Sequence, residues 1–121
     1  MVTTKSRGDE GEAQALAYLQ RQGLTLVERN YRVARGPGAR GGEVDLILRD
    51  ADGTLVFVEV RRRASDQAAA SVGHVKQRRL IYAASHYLMR WAEPPPCRFD
   101  VVAIEGEHLQ WLPAAFDAGP Y

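Results

Sequence analysis

Two apolar runs of this chain each carry a carboxylate where water-excluding residues are expected: Gly42-Glu43-Val44-Asp45-Leu46-Ile47 and Val56-Phe57-Val58-Glu59-Val60-Arg61. An acid set among Val, Leu, Ile and Phe is costly to bury unless a proton, a basic side chain or a metal ion neutralises it. Read as strands, the runs place Glu43, Asp45 and Ile47 on one face and Val44, Leu46 and Leu48 on the other. Likewise Phe57, Glu59 and Arg61 oppose Val56, Val58 and Val60. One face is then aliphatic and packs under a helix, while the other carries the acids.

The linker Asp50-Ala51-Asp52-Gly53 sharpens the inference, because Gly53 suits the left-handed position of a short hairpin loop. A hairpin symmetric about Asp52 puts Asp45 directly opposite Glu59 and Glu43 opposite Arg61. Like charges so opposed destabilise a sheet, and their Cβ atoms lie about 4.5–5.5 Å apart, near enough to share a divalent cation. Carboxylate oxygens suit Mg²⁺ or Mn²⁺. A one-residue slip would destroy the facing, so the register is a testable premise. The competing reading is a solvated polar face with Glu43–Arg61 as an ordinary cross-strand ion pair. Glu12, four and seven residues before Leu16 and Leu19, points toward the core side of a first helix; Asp9-Glu10-Gly11-Glu12 equally fits a capping box at that helix's start.

The elements that must position these acids follow from pattern. A helix runs from Asp9 to about Gln22 and stops at Gly23. Leu24 to Tyr31 alternates as a strand. Residues 35–42, rich in Gly, read as a mobile loop, and residues 1–7 as a flexible tail. Strands over about Glu43–Arg49 and Thr54–Arg61 follow. Val72 to Trp91 is the strongest helix, with Leu80, Ile81, Ala84, Tyr87, Leu88 and Trp91 along one buried face. Pro94-Pro95-Pro96 ends it. Phe99–Ile104 and His108–Leu112 are the last strands, joined through Glu105-Gly106-Glu107. The order α-β-β-β-α-β-β predicts a single α/β domain over residues 1–121, one mixed β-sheet flanked by helices.

Composition is that of an ordinary globular protein, 45% hydrophobic and 26% charged over 121 residues, so one real core is affordable in size. No apolar run approaches the roughly 20 residues needed to span a bilayer, and Met1-Val-Thr-Thr-Lys-Ser-Arg-Gly lacks the apolar core of a signal peptide. The lone Cys97 excludes an internal disulfide and a multi-cysteine zinc site. A cytoplasmic location is the default expectation. Net charge is only +1, but it is polarised. Arg21, Arg29, Arg32, Arg35 and Arg40 crowd one stretch, and Arg61, Arg62, Arg63, Lys76, Arg78 and Arg79 another. Residues 99–121 hold acids and no Lys or Arg. Such polarity steers a polyanion to one face, unless it is simply solvated surface arginine.

At these residues the chain resembles a known family. Gly11-Glu12-Ala13, Ala17-Tyr18-Leu19, Gly23, Arg29-Asn30-Tyr31-Arg32, Gly42-Glu43-Val44-Asp45-Leu46-Ile47, Val56-Phe57-Val58-Glu59-Val60, Lys76 and Arg98-Phe99-Asp100-Val101-Val102 look like the YraN family of small bacterial proteins, described as predicted endonucleases. The resemblance runs from about Gly8 to Phe116. That family is similar in turn to archaeal Holliday junction resolvases and the restriction-endonuclease-like PD-(D/E)xK fold. The resemblance implies Asp45 and Glu59 as metal-binding acids, Glu12 as a helix acid assisting the metal or its water, and Lys76 at the entry of the long helix. By spacing, Lys76 lies four residues before Leu80 and extends the buried stripe toward the site, where it could equally be an ordinary first-turn lysine.

One departure stands out. The family's Glu-Val-Lys reads Glu59-Val60-Arg61 here. The family lysine is assigned to positioning water and stabilising phosphate charge; arginine keeps the charge but cannot act as a base. Two lysines against fourteen arginines suggest a general drift toward Arg. The loop before Gly42 is a second departure.

Other candidates are weak. His74, His86 and His108 lack ligand spacing, and His86 reads as partly buried structure. Cys97 lacks a partner for nucleophilic catalysis. Gly36-Pro37-Gly38 lacks the Gly-Lys-Ser/Thr of a P-loop. Tyr18, Tyr82, Tyr87, Trp91 and Trp111 read as core or rim.

Two functions compete. The first is a Mg²⁺- or Mn²⁺-dependent endonuclease acting on DNA, with branched or structured DNA suggested by the resemblance. In it Asp45 and Glu59 hold the metal, Glu12 supports it, Arg61 and Lys76 clamp the phosphate, and Arg62, Arg63, Arg78 and Arg79 contact the backbone. The second is a nucleic-acid-binding module with little or no catalysis, Arg61 being the symptom. A weaker third reading makes the acids ion-pair members of a structural domain. Cutting two strands would need a homodimer, of which no interface signature is visible.

Overall fold

The computed structural model describes residues 4–34, 41–62 and 73–117. Its elements are α1 (Thr4–Arg21), β1 (Thr25–Val33), β2 (Gly42–Arg49), β3 (Leu55–Arg62), α2 (His74–Leu88), β4 (Cys97–Glu105) and β5 (His108–Phe116). The strands form one sheet in the order β1-β2-β3-β4-β5. Only β3 and β4, joined through α2, run parallel; every other neighbouring pair is antiparallel. This is the expected α/β architecture with one mixed sheet and the expected element order.

Each helix covers one face of the sheet. Ala15 and Leu19 of α1 pack with Leu46, Leu48, Val56, Val58, Val102 and Ile104. Leu80, Ala83, Ala84 and Tyr87 of α2 pack with Val44, Ile47, Leu55, Phe57 and Phe99. The helix stripe expected on α2 is therefore the one buried, with Ala83 added. Both faces are apolar, which corrects the expectation of one aliphatic and one acid-bearing face. It also accounts for the near-continuous hydrophobic runs, since strands buried on both sides lose alternation.

Local signals account for the element ends. Gly23, with φ 98, closes α1; the Leu24 amide donates to the Leu19 carbonyl at 3.1 Å and the Gly23 amide to Gln20 at 3.0 Å. That is a Schellman stop whose apolar residue, Leu24, is buried in the α1 core. Gly53 takes φ 92 in the β2–β3 turn, where its amide donates to Asp50 at 2.9 Å.

Several boundaries differ from expectation, β1 and β4 by one or two residues at each end. α1 already runs at Thr4, so Asp9 lies inside the helix and Asp9–Glu12 caps no terminus. That removes the capping reading of Glu12. α2 ends at Leu88, three residues short of Trp91. β5 continues to Phe116. Gly42 opens β2 rather than closing a loop, and it lies against α2: a Cβ there would collide with the Arg79 carbonyl and stand 2.8 Å from the Ala83 amide nitrogen. Residues 35–40 of the expected loop and 1–3 of the expected tail lie outside the described residues; the rest of that tail, 4–7, is helical as the start of α1.

Away from the acid pair, Asp100 is fully buried and closely bonded. Arg98 Nε donates to it at 3.1 Å, Trp111 Nε1 at 2.9 Å and the Ala114 amide at 2.9 Å, while Arg98 Nη1 reaches Asp50 at 2.9 Å. A buried carboxylate is tolerable when so compensated. This network ties β5 and the β2–β3 turn to β4. His86, expected to be partly buried, is exposed, with Nδ1 2.8 Å from the Tyr31 hydroxyl.

Candidate active site

The β2–β3 ladder runs from Arg49↔Leu55 to Leu46↔Val58 and stops. Beyond that point β2 stays with β1 as far as Gly42, and β3 stays with β4 as far as Arg62. The sheet forks. The next positions in the register would be Asp45 and Glu59, the pair expected to face each other. They stand at the mouth of the fork, beyond the last rung. Asp45 fills the opening: its Oδ2 accepts the Val60 amide at 2.8 Å, replacing the strand partner that β3 has lost there. A backbone N–H left bare in this setting would cost as much as a lost hydrogen bond.

A cleft of about 220 Å³ opens at the fork. Gly11 and Glu12 of α1, Glu43 and Asp45 of β2, Glu59, Val60 and Arg62 of β3, and Lys76 and Arg79 of α2 line it. Four acids thus converge from three elements. Three have basic neighbours. Lys76 Nζ donates to Glu59 Oε1 at 3.0 Å. Arg29 Nη2 lies 4.0 Å from Glu12 Oε1, and Arg32 Nε lies 3.6 Å from Glu43 Oε1. The Glu59 side chain is only 11% exposed, against 53% for Lys76, so the ammonium caps a nearly buried carboxylate from the solvent side.

Asp45 differs. Burial, and next the charge of Glu59, push its carboxyl from 3.8 to about 8; the Val60 bond opposes the rise, and Glu12 and Glu43 add to it. Desolvation and like charge act together, as at sites built to hold a proton or a cation.

Of the sequence-predicted residues, Glu12, Asp45, Glu59, Lys76, Arg62 and Arg79 come together in the cleft. Arg79 Nε also donates to the Gly41 carbonyl at 3.4 Å. Arg62 lies 3.9 Å from Glu10. Arg78 is exposed on α2 and does not line the cleft. Arg61 is half-buried on β3 beside Ala103, and the described lining does not include it. Arg63 lies outside the described residues. The expected Glu43–Arg61 rung is absent from the β2–β3 ladder; Glu43 is instead paired with Arg32 across β1–β2.

Sequence reasoning missed Arg29 and Arg32 as neighbours of the cleft acids. Three residues apart on a regular strand, they belong on opposite faces. The hidden signal is Asn30 between them, whose φ of 52 is left-handed; Asn is one of the few side chains that tolerates this.

Among the described residues no group of three His, Cys, Asp or Glu side chains is gathered for a metal ion. The donor set is the Asp45–Glu59 pair. It suits Mg²⁺, which typically takes one or two carboxylates and completes its shell with water and phosphate oxygens.

A mixed α/β sheet with an acid cleft at a strand fork defines the class. Residues 11–104 match the model of the uncharacterised protein family UPF0102, and the chain belongs to that family, which is the YraN family. It is 72% identical over 121 residues to a UPF0102 protein of Methylibium petroleiphilum, covering 98% of this chain and 99% of the relative. A UPF0102 protein of Paracidovorax citrulli is 61% identical, over 98% of this chain and 87% of the relative. One of Cupriavidus taiwanensis is 55% identical, over 94% and 85%. No helix among the described residues is long and apolar enough to cross a membrane.

Proposed function

We propose that this chain is a divalent-metal-dependent nuclease of the restriction-endonuclease-like kind, hydrolysing phosphodiester bonds in DNA. The observation that carries the reading is the fork: Asp45 and Glu59 meet where β2 and β3 separate, and Asp45 is held at about 8 by burial and by the neighbouring acids. Such a pair is short of positive charge. A bound Mg²⁺ or Mn²⁺ would supply Lewis-acid stabilisation of phosphate charge and a water of lowered pKa. Asp45 and Glu59 would hold the ion, and Glu12, steadied by Arg29, would orient water at its edge. Arg79 and Arg62 bring positive charge to the cleft wall, where a phosphate arriving against four acids needs it. Lys76 is the one lysine among the described lining residues; released from Glu59, it takes the phosphate-clamping part that the Glu-Val-Arg sequence gives to Arg61.

One observation favours a second reading, a nucleic-acid binder without cleavage. Lys76 already neutralises Glu59 at 3.0 Å, so half of the acid pair is satisfied by the chain itself. Cleavage of nicked, branched and linear DNA with Mg²⁺ or Mn²⁺ separates the two. The nuclease reading expects Asp45→Asn and Glu59→Gln each to lower the rate at least about a hundredfold. Cleavage that survives both substitutions overturns it. Binding that is indifferent to metal, without cleavage, establishes the binder.

A further inference from the structure

Asp45 lies on β2 between two rungs of the β1–β2 ladder, yet its carboxylate reaches β3 on the other side of its strand. A device for this lies directly across from it. The β1–β2 pairs run Arg29↔Leu46 and then Tyr31↔Val44. Residues 30 and 45 fall between these rungs. Asn30 has φ 52, a left-handed conformation that residues other than Gly, Asn and Asp adopt at a cost.

A single left-handed residue reverses the alternation of a strand, and the packing records that reversal on both partners. Arg29 reaches Glu12 on α1, whereas Tyr31 and Val33, at two and four residues further on, pack with the α2 core. On β2, Leu46 packs with the α1 core and Val44 with the α2 core, although a regular strand would keep them on one face. Apart from the register shift between Leu26 and Glu28 nearer the start of β1, one residue is taken out of the alternation on each strand here. On β1 it is Asn30 and on β2 it is Asp45.

We propose that Asn30 is a positioning residue for Asp45. Its left-handed backbone turns β1 and β2 together, withdraws Asp45 from the regular alternation, and aims its carboxylate into the fork at the Val60 amide. The same turn brings both Arg29 and Arg32 beside cleft acids. Functional importance rests on the reading of Asp45 as a metal-holding acid; the aiming itself does not.

Asn30 is exposed, so substitution there tests backbone preference with little change in core packing. Glycine adopts the left-handed conformation freely, whereas valine resists it. Strain placed at residue 30 is relieved when the fork opens, so it appears as faster local exchange of the Val60 amide. The test is amide hydrogen exchange of the wild type, Asn30→Gly and Asn30→Val, with titration of Mn²⁺ alone in parallel. In Asn30→Val the Val60 amide is expected to exchange about tenfold faster, as about one strained residue implies, while Val58 and Val102 stay within about twofold. Mn²⁺ affinity falls with it, and Asn30→Gly matches the wild type in both. If Asn30→Val does not fold, Asn30→Ala provides the same comparison with a smaller penalty. Unchanged exchange at Val60, uniform acceleration at all three amides, or Asn30→Gly behaving like Asn30→Val each overturns the proposal. A wild type that binds no Mn²⁺ while Val60 still responds sinks the metal reading and upholds the positioning role.

Discussion

Asp45 and Lys76 are the two residues on which the proposed chemistry turns, and each makes a prediction. Folding raises the Asp45 carboxyl from 3.8 to about 8. Between those values the folded state binds more protons than the unfolded chain, so stability falls as pH rises through the window, and above about 8 the loss is complete. A cation held by Asp45 must displace that proton. Mn²⁺ affinity should therefore climb about tenfold per pH unit below about 8 and level off above it. Calorimetric titration from pH 6 to 9 reads the slope; Asp45→Asn should abolish it, and a flat wild-type profile contradicts the assignment. Lys76 shares Glu59 with any incoming ion. Lys76→Met should bind Mn²⁺ alone several-fold more tightly at pH 8.5 while Arg78→Met, the same charge loss outside the cleft, does not. Equal gains in both would reduce Lys76 to a general field effect. That Asp45 and Glu59 line one cleft was legible in the sequence because strand period and hairpin symmetry are arithmetic; their direct cross-strand pairing was not met, since the ladder ends at Leu46↔Val58. Lys76 was legible from its helical spacing to Leu80. Arg29 and Arg32 were not, since period-two alternation cannot register a reversal at a left-handed Asn30.

Elements place these residues, and α2 is held closest. Gly42 is buried against its backbone, with Ala83 Cβ 2.9 Å from where a side chain would begin. Gly42→Ala should push α2 from the sheet at a cost of about 1–3 kcal/mol in urea unfolding. The Lys76–Glu59 contact should loosen with it, seen as broadening or shift of the Lys76 ammonium signal. Stability retained with an unshifted signal would show that α2 yields without moving Lys76. Seven elements in the right order were legible because each carries its own period and stop. Their ends were harder. Gly42 followed a Gly-rich run and read as loop because sequence shows its missing side chain but not the helix backbone lying against it. The Asp9-Glu10-Gly11-Glu12 stretch looked like a helix start because capping residues look the same inside a helix when the chain continues upstream.

At the scale of the molecule, charge is unevenly spread: arginines crowd residues 21–40 and 61–79, and residues 99–121 hold acids and no Lys or Arg. Binding to linear DNA should weaken steeply with salt. Replacing Arg62 and Arg79 by Ala should reduce the slope of log K against log salt by about 2, one phosphate contact each; an unchanged slope removes them from the interface. The mixed sheet was legible as a class, but the fork was not, because it depends on β3 exchanging an antiparallel neighbour for a parallel one across a long connection. That exchange gives Asp45 a second duty. Its carboxylate completes the main-chain bonding of β3 as well as carrying charge, whereas Glu59 answers to a lysine side chain. The two duties separate on substitution: asparagine keeps an acceptor for Val60, alanine does not. On the proposed nuclease reading, a lineage relieved of cutting would hold on to its acid at 45 for the sake of the strand and let 59 drift first. When homologues are sorted into active and inactive, the residue to inspect is the one at 59.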